Sequence, residues 1–169
     1  MKKSSCIRCR MANDKEQTKE NRLDGTDSGT SMKVSVVSFS YPRGVPDDPN
    51  DDYWGGFVFD CRSLPDPYDD MSLRSYSGLD KPIIEFFERH KVLIDRFLDA
   101  AEALVRQSID AFLMDGRDYL QVAFGCYGGH HRSVYMAEHF AERLMGTPGI
   151  DIEVKHAARQ YWCEKNKTH

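Results

Sequence analysis

With 169 residues, 40% of them apolar and 11% aromatic, the chain has material for one packed domain and too many core-forming residues for wholesale disorder. A formal net charge of -4 excludes a protein that binds nucleic acid through overall positive charge, so any such contact needs a local patch. The mean hydropathy of -0.60, without any apolar run of about 18 residues, excludes a helical membrane span.

Residues 1–31 read as a disordered tail, with seven basic and five acidic residues, isolated Ile7 and Leu23, and no hydrophobic period. Met32, which opens the first clear strand pattern, is an equally good start, the preceding stretch then being an upstream extension of the reading frame. No apolar segment follows Met1-Lys2-Lys3, so no secretory signal is read there. The five cysteines, Cys6, Cys9, Cys61, Cys126 and Cys163, are odd in number and widely spaced. A reducing, cytoplasmic setting with free thiols is therefore expected.

From Met32 onward the periods alternate between strand and helix. Val34, Val36, Val37 and Phe39 predict a buried strand, and Pro42, Gly44, Pro46, Pro49, Gly55 and Gly56 break the chain after it. Phe57 to Asp60 predicts a second strand, followed by an irregular stretch with Pro65 and Pro67 up to Gly78. Pro82 suits the first turn of a helix, with Asp80 as its N-cap. A break is expected near His90–Lys91. Ile94, Phe97, Leu98, Ala101, Leu104, Val105, Ile109, Phe112 and Leu113 then recur at spacings of three and four, one apolar face of a long helix that Gly116 stops. Tyr119 to Phe124 is apolar on both faces and predicts a central strand. A glycine loop, a helix carrying Val134, Ala137, Phe140, Ala141 and Leu144, and a last strand through Ile150, Ile152 and Val154 complete the pattern. The expected fold is a three-layer α/β domain over residues 32–156 with a mostly parallel sheet, and residues 157–169 form a basic C-terminal tail.

The chemistry concentrates in Phe124-Gly-Cys-Tyr-Gly-Gly-His-His-Arg-Ser133. This loop joins a buried strand to a helix at the carboxyl end of the sheet, where open α/β sheets place ligands. Gly125, Gly128 and Gly129 allow sharp turns that expose amides, and the helix behind them presents its positive end, which together favour an anion such as phosphate. Arg132 can grip two phosphate oxygens, and His130 and His131 can donate as well. Cys126 and Arg132 also stand at the spacing of the phosphate loop in cysteine-dependent phosphatases, where a thiolate attacks phosphorus. Asp66 or Asp69 would then serve as general acid. Against this, Gly125 stands where such enzymes usually carry His, and the bare spacing is unspecific.

A second set of segments resembles the RapZ C-terminal domain family of RNase adapters. The loop Gly-Cys-Tyr-Gly-Gly-His-His-Arg-Ser-Val is similar to its Gly-Cys-x-Gly-Gly-x-His-Arg-Ser-Val. So are Ser38-Phe-Ser-Tyr-Pro-Arg-Gly-Val-Pro46, Phe57-Val-Phe-Asp-Cys-Arg62 with Leu64-Pro-Asp-Pro67, Leu73-Arg74, and Ser77-Gly-Leu-Asp-Lys-Pro82, all in family order. The resemblance implies a regulatory domain that binds a phosphosugar such as glucosamine-6-phosphate, binds small RNA and forms homo-oligomers. It also implies a pocket built from Asp60, Arg62, Cys126, Gly128, Gly129, His131, Arg132 and Ser133, with Arg74, Asp80, Tyr127 and His130 nearby. Tyr127 and His130 depart from the family pattern. RNA contact would fall to Lys155, Arg159, Lys165 and Lys167, a thinner basic set than the family's. The Gly-x4-Gly-Lys-[Ser/Thr] phosphate loop of the family's kinase-like half does not occur in this sequence, so nucleotide hydrolysis through it is not expected.

Other features read as ordinary. Cys6-x-x-Cys9 is half of a zinc pattern without a second pair nearby, and the aspartates between 47 and 70 do not have EF-hand spacing. No metal or cofactor is expected. Cys61 is expected buried, Cys163 exposed, and His139 on the surface. Trp162 and Tyr161 could stack on bases or dock the tail on the core.

Overall fold

A computed structural model describes residues 31–49 and 56–162. Four strands, β1 (Met32–Ser40), β2 (Phe57–Asp60), β3 (Tyr119–Cys126) and β4 (Ile150–His156), form one sheet in the order β2-β3-β1-β4. Every pairing is parallel. The helices are α1 (Lys81–Glu88), α2 (Lys91–Met114) and α3 (Arg132–Leu144). The α1–α2 crossover joins β2 to β3, and α3 joins β3 to β4. Both steps run the same way across the sheet, so right-handed connections put both helices on one face.

That face holds the core. Val34, Val36, Leu120, Val122 and Phe124 of the central strands are buried under Ile94, Leu98, Ala101, Val105 and Ile109 of α2 and Ala137, Phe140 and Leu144 of α3. Aromatic rings bridge the two layers, with Phe124 and Phe140 centroids 5.1 Å apart and Phe59 and Phe97 6.2 Å apart. Successive strand residues point oppositely, so Ser35, Val37, Phe39, Gln121 and Ala123 lie on the other face, where they are also buried. Irregular chain forms a layer there, and the Gln121 amide donates to the Pro46 carbonyl at 3.4 Å.

Local signals act as expected, with informative differences. Gly116 (φ +68°) ends α2 in a Schellman arrangement, its amide donating to Leu113 O at 3.2 Å and that of Arg117 to Phe112 O at 2.9 Å. Asp80 stands at the N-cap position of α1 but makes no side-chain cap. Its carboxylate instead accepts from the Ser77 amide at 2.6 Å and the Ser77 hydroxyl at 2.8 Å, which ties the preceding turn together. Cys61 is fully buried, whereas Leu104, expected on the apolar face of α2, is exposed on the side of the helix turned from the sheet. His139 is only partly on the surface, because its ring packs 4.0 Å from Tyr135 and its Nδ1 pairs with Glu142 at 2.9 Å. Residues 1–30, with Cys6 and Cys9, lie outside the described residues, as do Asp51, Asp52, Cys163, Lys165 and Lys167.

The register fixes where a site can form. Ser40 pairs with Cys126, Asp60 with Gly125, and Ser38 with His156, so the carboxyl ends of all four strands meet along one edge. Among the described residues no helix is long and apolar enough to cross a membrane.

Candidate anion site

At that edge β3 runs into a tight loop whose backbone is set by two glycines. Gly129 has φ +63°, and a β-carbon there would sit 2.8 Å from Ala158 Cβ and 3.0 Å from Ser40 Cβ, so only glycine fits. Gly125 is closed off differently, since a β-carbon would run into the Phe39 ring and come within 2.6 Å of Tyr41 Cε2. The Gly129 amide turns inward and donates to Cys126 Sγ at 3.2 Å, and the Ser133 hydroxyl stands 3.2 Å from the same sulfur. Ser40 Oγ donates to the Tyr127 carbonyl at 2.8 Å, which fastens the loop to β1. The first bond inside α3 runs from Tyr135 N to His131 O at 2.9 Å. The amides of Arg132, Ser133 and Val134 therefore have no partner within the helix, and they carry its positive end.

Beside this turn lies a cavity of about 210 Å³. Cys126, Tyr127, Gly128, His130, His131 and Arg132 line it from the loop, and Asp66 and Tyr68 line it from the facing segment. Arg132 is only 7% exposed. Its Nη1 donates to the carbonyls of Arg62 at 3.2 Å and Leu64 at 3.4 Å, and its Nη2 pairs with Asp66 Oδ2 at 2.5 Å. Its Nε is buried without a hydrogen-bond partner. A buried donor on a cation is costly to leave unmade, so this nitrogen marks where an acceptor belongs. His131 Nε2 lies 2.7 Å from Tyr76 O, and its ring is 4.6 Å from that of His130.

The other residues expected at the site divide into supports and neighbours. Gly129 and Ser133 sit under the loop, holding the Cys126 sulfur, rather than in the cavity wall. Asp60 and Arg62 close on each other through Nη2–Oδ2 and Nε–Oδ1 contacts of 2.6 and 2.9 Å. The Arg62 guanidinium holds the Asp60 carboxyl below its ordinary value, with Arg132 adding to the effect. Arg62 also lies 4.0 Å over the Tyr41 ring, so this pair flanks the cavity without lining it. Arg74 acts through Tyr68, donating from Nε to its carbonyl at 2.8 Å and covering its ring at 4.5 Å. Burial pushes the Cys61 thiol well above its ordinary value, and the neighbouring Cys126 adds to the rise. Of the basic residues, Lys155 pairs with Glu153 at 3.0 Å and Arg159 starts a single 3-10 turn.

Two contributors carried no sequence signal strong enough to single them out, and a third, Trp162, takes one of the two roles open to it. Tyr68 stands in a proline-punctuated loop without a period. Gly78 packs on the first turn of α3, where its amide donates to His130 O at 2.8 Å. Trp162 docks on the loop rather than standing free, its Nε1 donating to Gly129 O at 3.0 Å and its ring lying 5.4 Å from both His130 and His156. Behind it, His156 Nδ1 is 2.8 Å from Ser38 Oγ and Nε2 is 2.9 Å from Glu138 Oε1. Tyr161 is likewise engaged, under Arg43 at 3.3 Å.

Residues 32–160 match the family model described as the RapZ C-terminal domain. The chain is 39% identical over 135 residues to a nucleotide-binding protein of Paraburkholderia xenovorans, covering 80% of this chain and 42% of that protein. It is 42% identical over 125 residues to a nucleotide-binding protein of Laribacter hongkongensis, with 74% and 42% covered. A nucleotide-binding protein of Neisseria meningitidis serogroup B is 37% identical over 131 residues, with 78% and 43% covered. The chain thus spans less than half the length of these relatives.

Proposed function

The chain belongs to the RapZ C-terminal domain family, and on that premise we propose that it is a ligand-sensing regulatory domain whose 125–133 loop holds the phosphate of a small molecule. The observation that carries this reading is Arg132, a buried cation in a cavity wall with an unpartnered Nε, beside helix amides that have no partner within α3. Phosphate offers several acceptor oxygens on one centre and suits such convergent donors. An amino sugar phosphate, the ligand class implied by the family resemblance, would present its phosphate to Arg132 and its amine to Asp66, the carboxylate that lines the cavity. The names of the relatives point to nucleotides, which offer the same phosphate chemistry. RNA contact is the less supported part of an adapter role, because Lys155 is already paired with Glu153.

Thermal-shift titration with glucosamine-6-phosphate, glucose-6-phosphate, AMP and inorganic phosphate tests the reading, since a ligand that binds only the native state raises its stability. Arg132→Lys removes the stabilisation, because a point charge cannot reproduce the guanidinium fork. No stabilisation by any of these compounds would overturn the reading. One observation favours a phosphatase instead: Cys126 Sγ lies in the wall of the same cavity as Arg132 and accepts the Gly129 amide at 3.2 Å. Turnover of an aryl phosphate that disappears in Cys126→Ser would establish that alternative.

A further inference from the structure

The arginine at the heart of the site is not empty-handed. Asp66 places Oδ2 on Arg132 Nη2 at 2.5 Å, while its Oδ1 accepts the Tyr68 amide at 3.1 Å and so caps the turn that follows. Nη1 is committed to the carbonyls of Arg62 and Leu64. The edge of a guanidinium that grips an oxyanion side-on is formed by Nε and one terminal nitrogen. Here that edge is half taken: Asp66 holds Nη2, and Nε is buried without a partner. A single carboxylate oxygen cannot satisfy both nitrogens while its twin caps Tyr68. A phosphate, with three terminal oxygens, can.

We propose that Asp66 is a built-in occupant of the Arg132 fork, an internal anion that the ligand's phosphate displaces, so that binding shifts the segment from Asp66 to Arg74. The inference rests on the phosphate reading and deepens it. Displacement removes the carboxylate that caps the Tyr68 turn. Tyr68 is itself a wall of the cavity, and Arg74 holds both its carbonyl and its ring. Occupancy of the cavity is thereby converted into a movement of surface chain, which is what a regulatory domain has to display to a partner. Asp66 also sets a threshold, because a weakly charged oxyanion competes poorly with a carboxylate already in place.

The test is an NMR titration of the full chain with inorganic phosphate, comparing wild type, Asp66→Asn, Asp66→Ser and Asp69→Asn. Removing the internal competitor tightens phosphate binding about tenfold or more in both Asp66 variants, the scale of one charge-assisted hydrogen bond. Asp69→Asn removes the same charge from the exposed side of the segment and changes binding by less than about threefold, as expected for a screened surface charge. In wild type the amides of Tyr68 and Arg74 shift in step with phosphate. Unchanged or weaker binding in the Asp66 variants, or still resonances at Tyr68 and Arg74 while wild type binds, overturns the proposal and leaves the phosphate site standing. Absence of phosphate binding in every form overturns both.

Discussion

Gly78→Ala probes the packing that holds the anion loop in shape. A β-carbon at this position would lie 2.5 Å from His131 O, 2.7 Å from Tyr135 N and 2.8 Å from Val134 Cβ. Two of these atoms belong to the backbone of the first turn of α3, so no rotamer change relieves the contact. Relief requires the 76–80 turn to lift off the loop. That breaks the Gly78 N to His130 O bond of 2.8 Å and strains the 2.7 Å contact of His131 with Tyr76 O. Overpacking costs about 1–3 kcal/mol and each lost hydrogen bond about 1 kcal/mol, against roughly 0.5 kcal/mol returned by stiffening the unfolded chain. The expected loss is about 3 kcal/mol, which for a domain of this size lowers Tm by roughly 10 °C. Gly116→Ala is the control, since Gly116 has φ +68° in the left-handed region and nothing within 4 Å, leaving only backbone strain of about 1 kcal/mol. Urea unfolding of both variants gives the comparison, with m unchanged and the midpoint lowered further in Gly78→Ala. A midpoint for Gly78→Ala no lower than that for Gly116→Ala would refute the packing argument.

Burial lowers the His156 pKa from its ordinary 6.5, although Glu138 works in the opposite direction. A group harder to protonate when folded contributes stability that is complete above the unfolded value and is lost as pH falls through it, because the unfolded chain then takes up a proton the native state resists. Stability should therefore decline below pH 6.5, and His156→Gln should flatten that decline; an unaltered slope in the variant contradicts it. Trp162→Phe removes the Nε1 hydrogen bond to Gly129 O and keeps most of the ring contact with His130 and His156. The expected outcome is a loss of about 1 kcal/mol and faster amide hydrogen exchange at 128–131 than in wild type, with unchanged exchange counting against a latch role for this side chain.

Most of the framework was legible from periodicity. Val34 and Val36 alternate with polar neighbours, Tyr119 to Phe124 is apolar on both faces, Ile94 to Ile109 recur at helical spacing, and Gly116 announces a stop, because each signal is written into neighbouring residues. The strand–glycine–helix transition at 124–133 was legible for the same reason. The acidic partner of Arg132 was not. Asp60 ends strand β2 and Asp66 follows it within a few residues, and a run of 3-10 turns and prolines decides which one turns inward. Asp60 caps the first turn and closes on Arg62, which leaves Asp66 to reach the cavity. Such a choice depends on the contact between residues 66 and 132, for which no local pattern exists. The docking of Trp162 has the same origin, since it is selected by the two histidine rings and by Gly129 O rather than by its sequence neighbours.

The crowding at Gly125 bears on how this loop can change over evolutionary or engineered time. Phe39 and Tyr41 fill the volume that any side chain before Cys126 would need, and Tyr41 in turn carries the Arg62 guanidinium on its face. A histidine introduced at 125, the first step toward a nucleophilic thiol loop, would enter a space owned by Phe39 of β1 and Tyr41 of the 3-10 turn that follows it. The order of substitution is therefore fixed: that aromatic pair must go before β3 can acquire an imidazole, and shedding Tyr41 unseats the cation beside Asp60. Any route from a binding loop to a phosphoryl-transfer loop in this fold begins on the neighbouring strand, where Phe39 pairs with Gly125, rather than at the reacting atom.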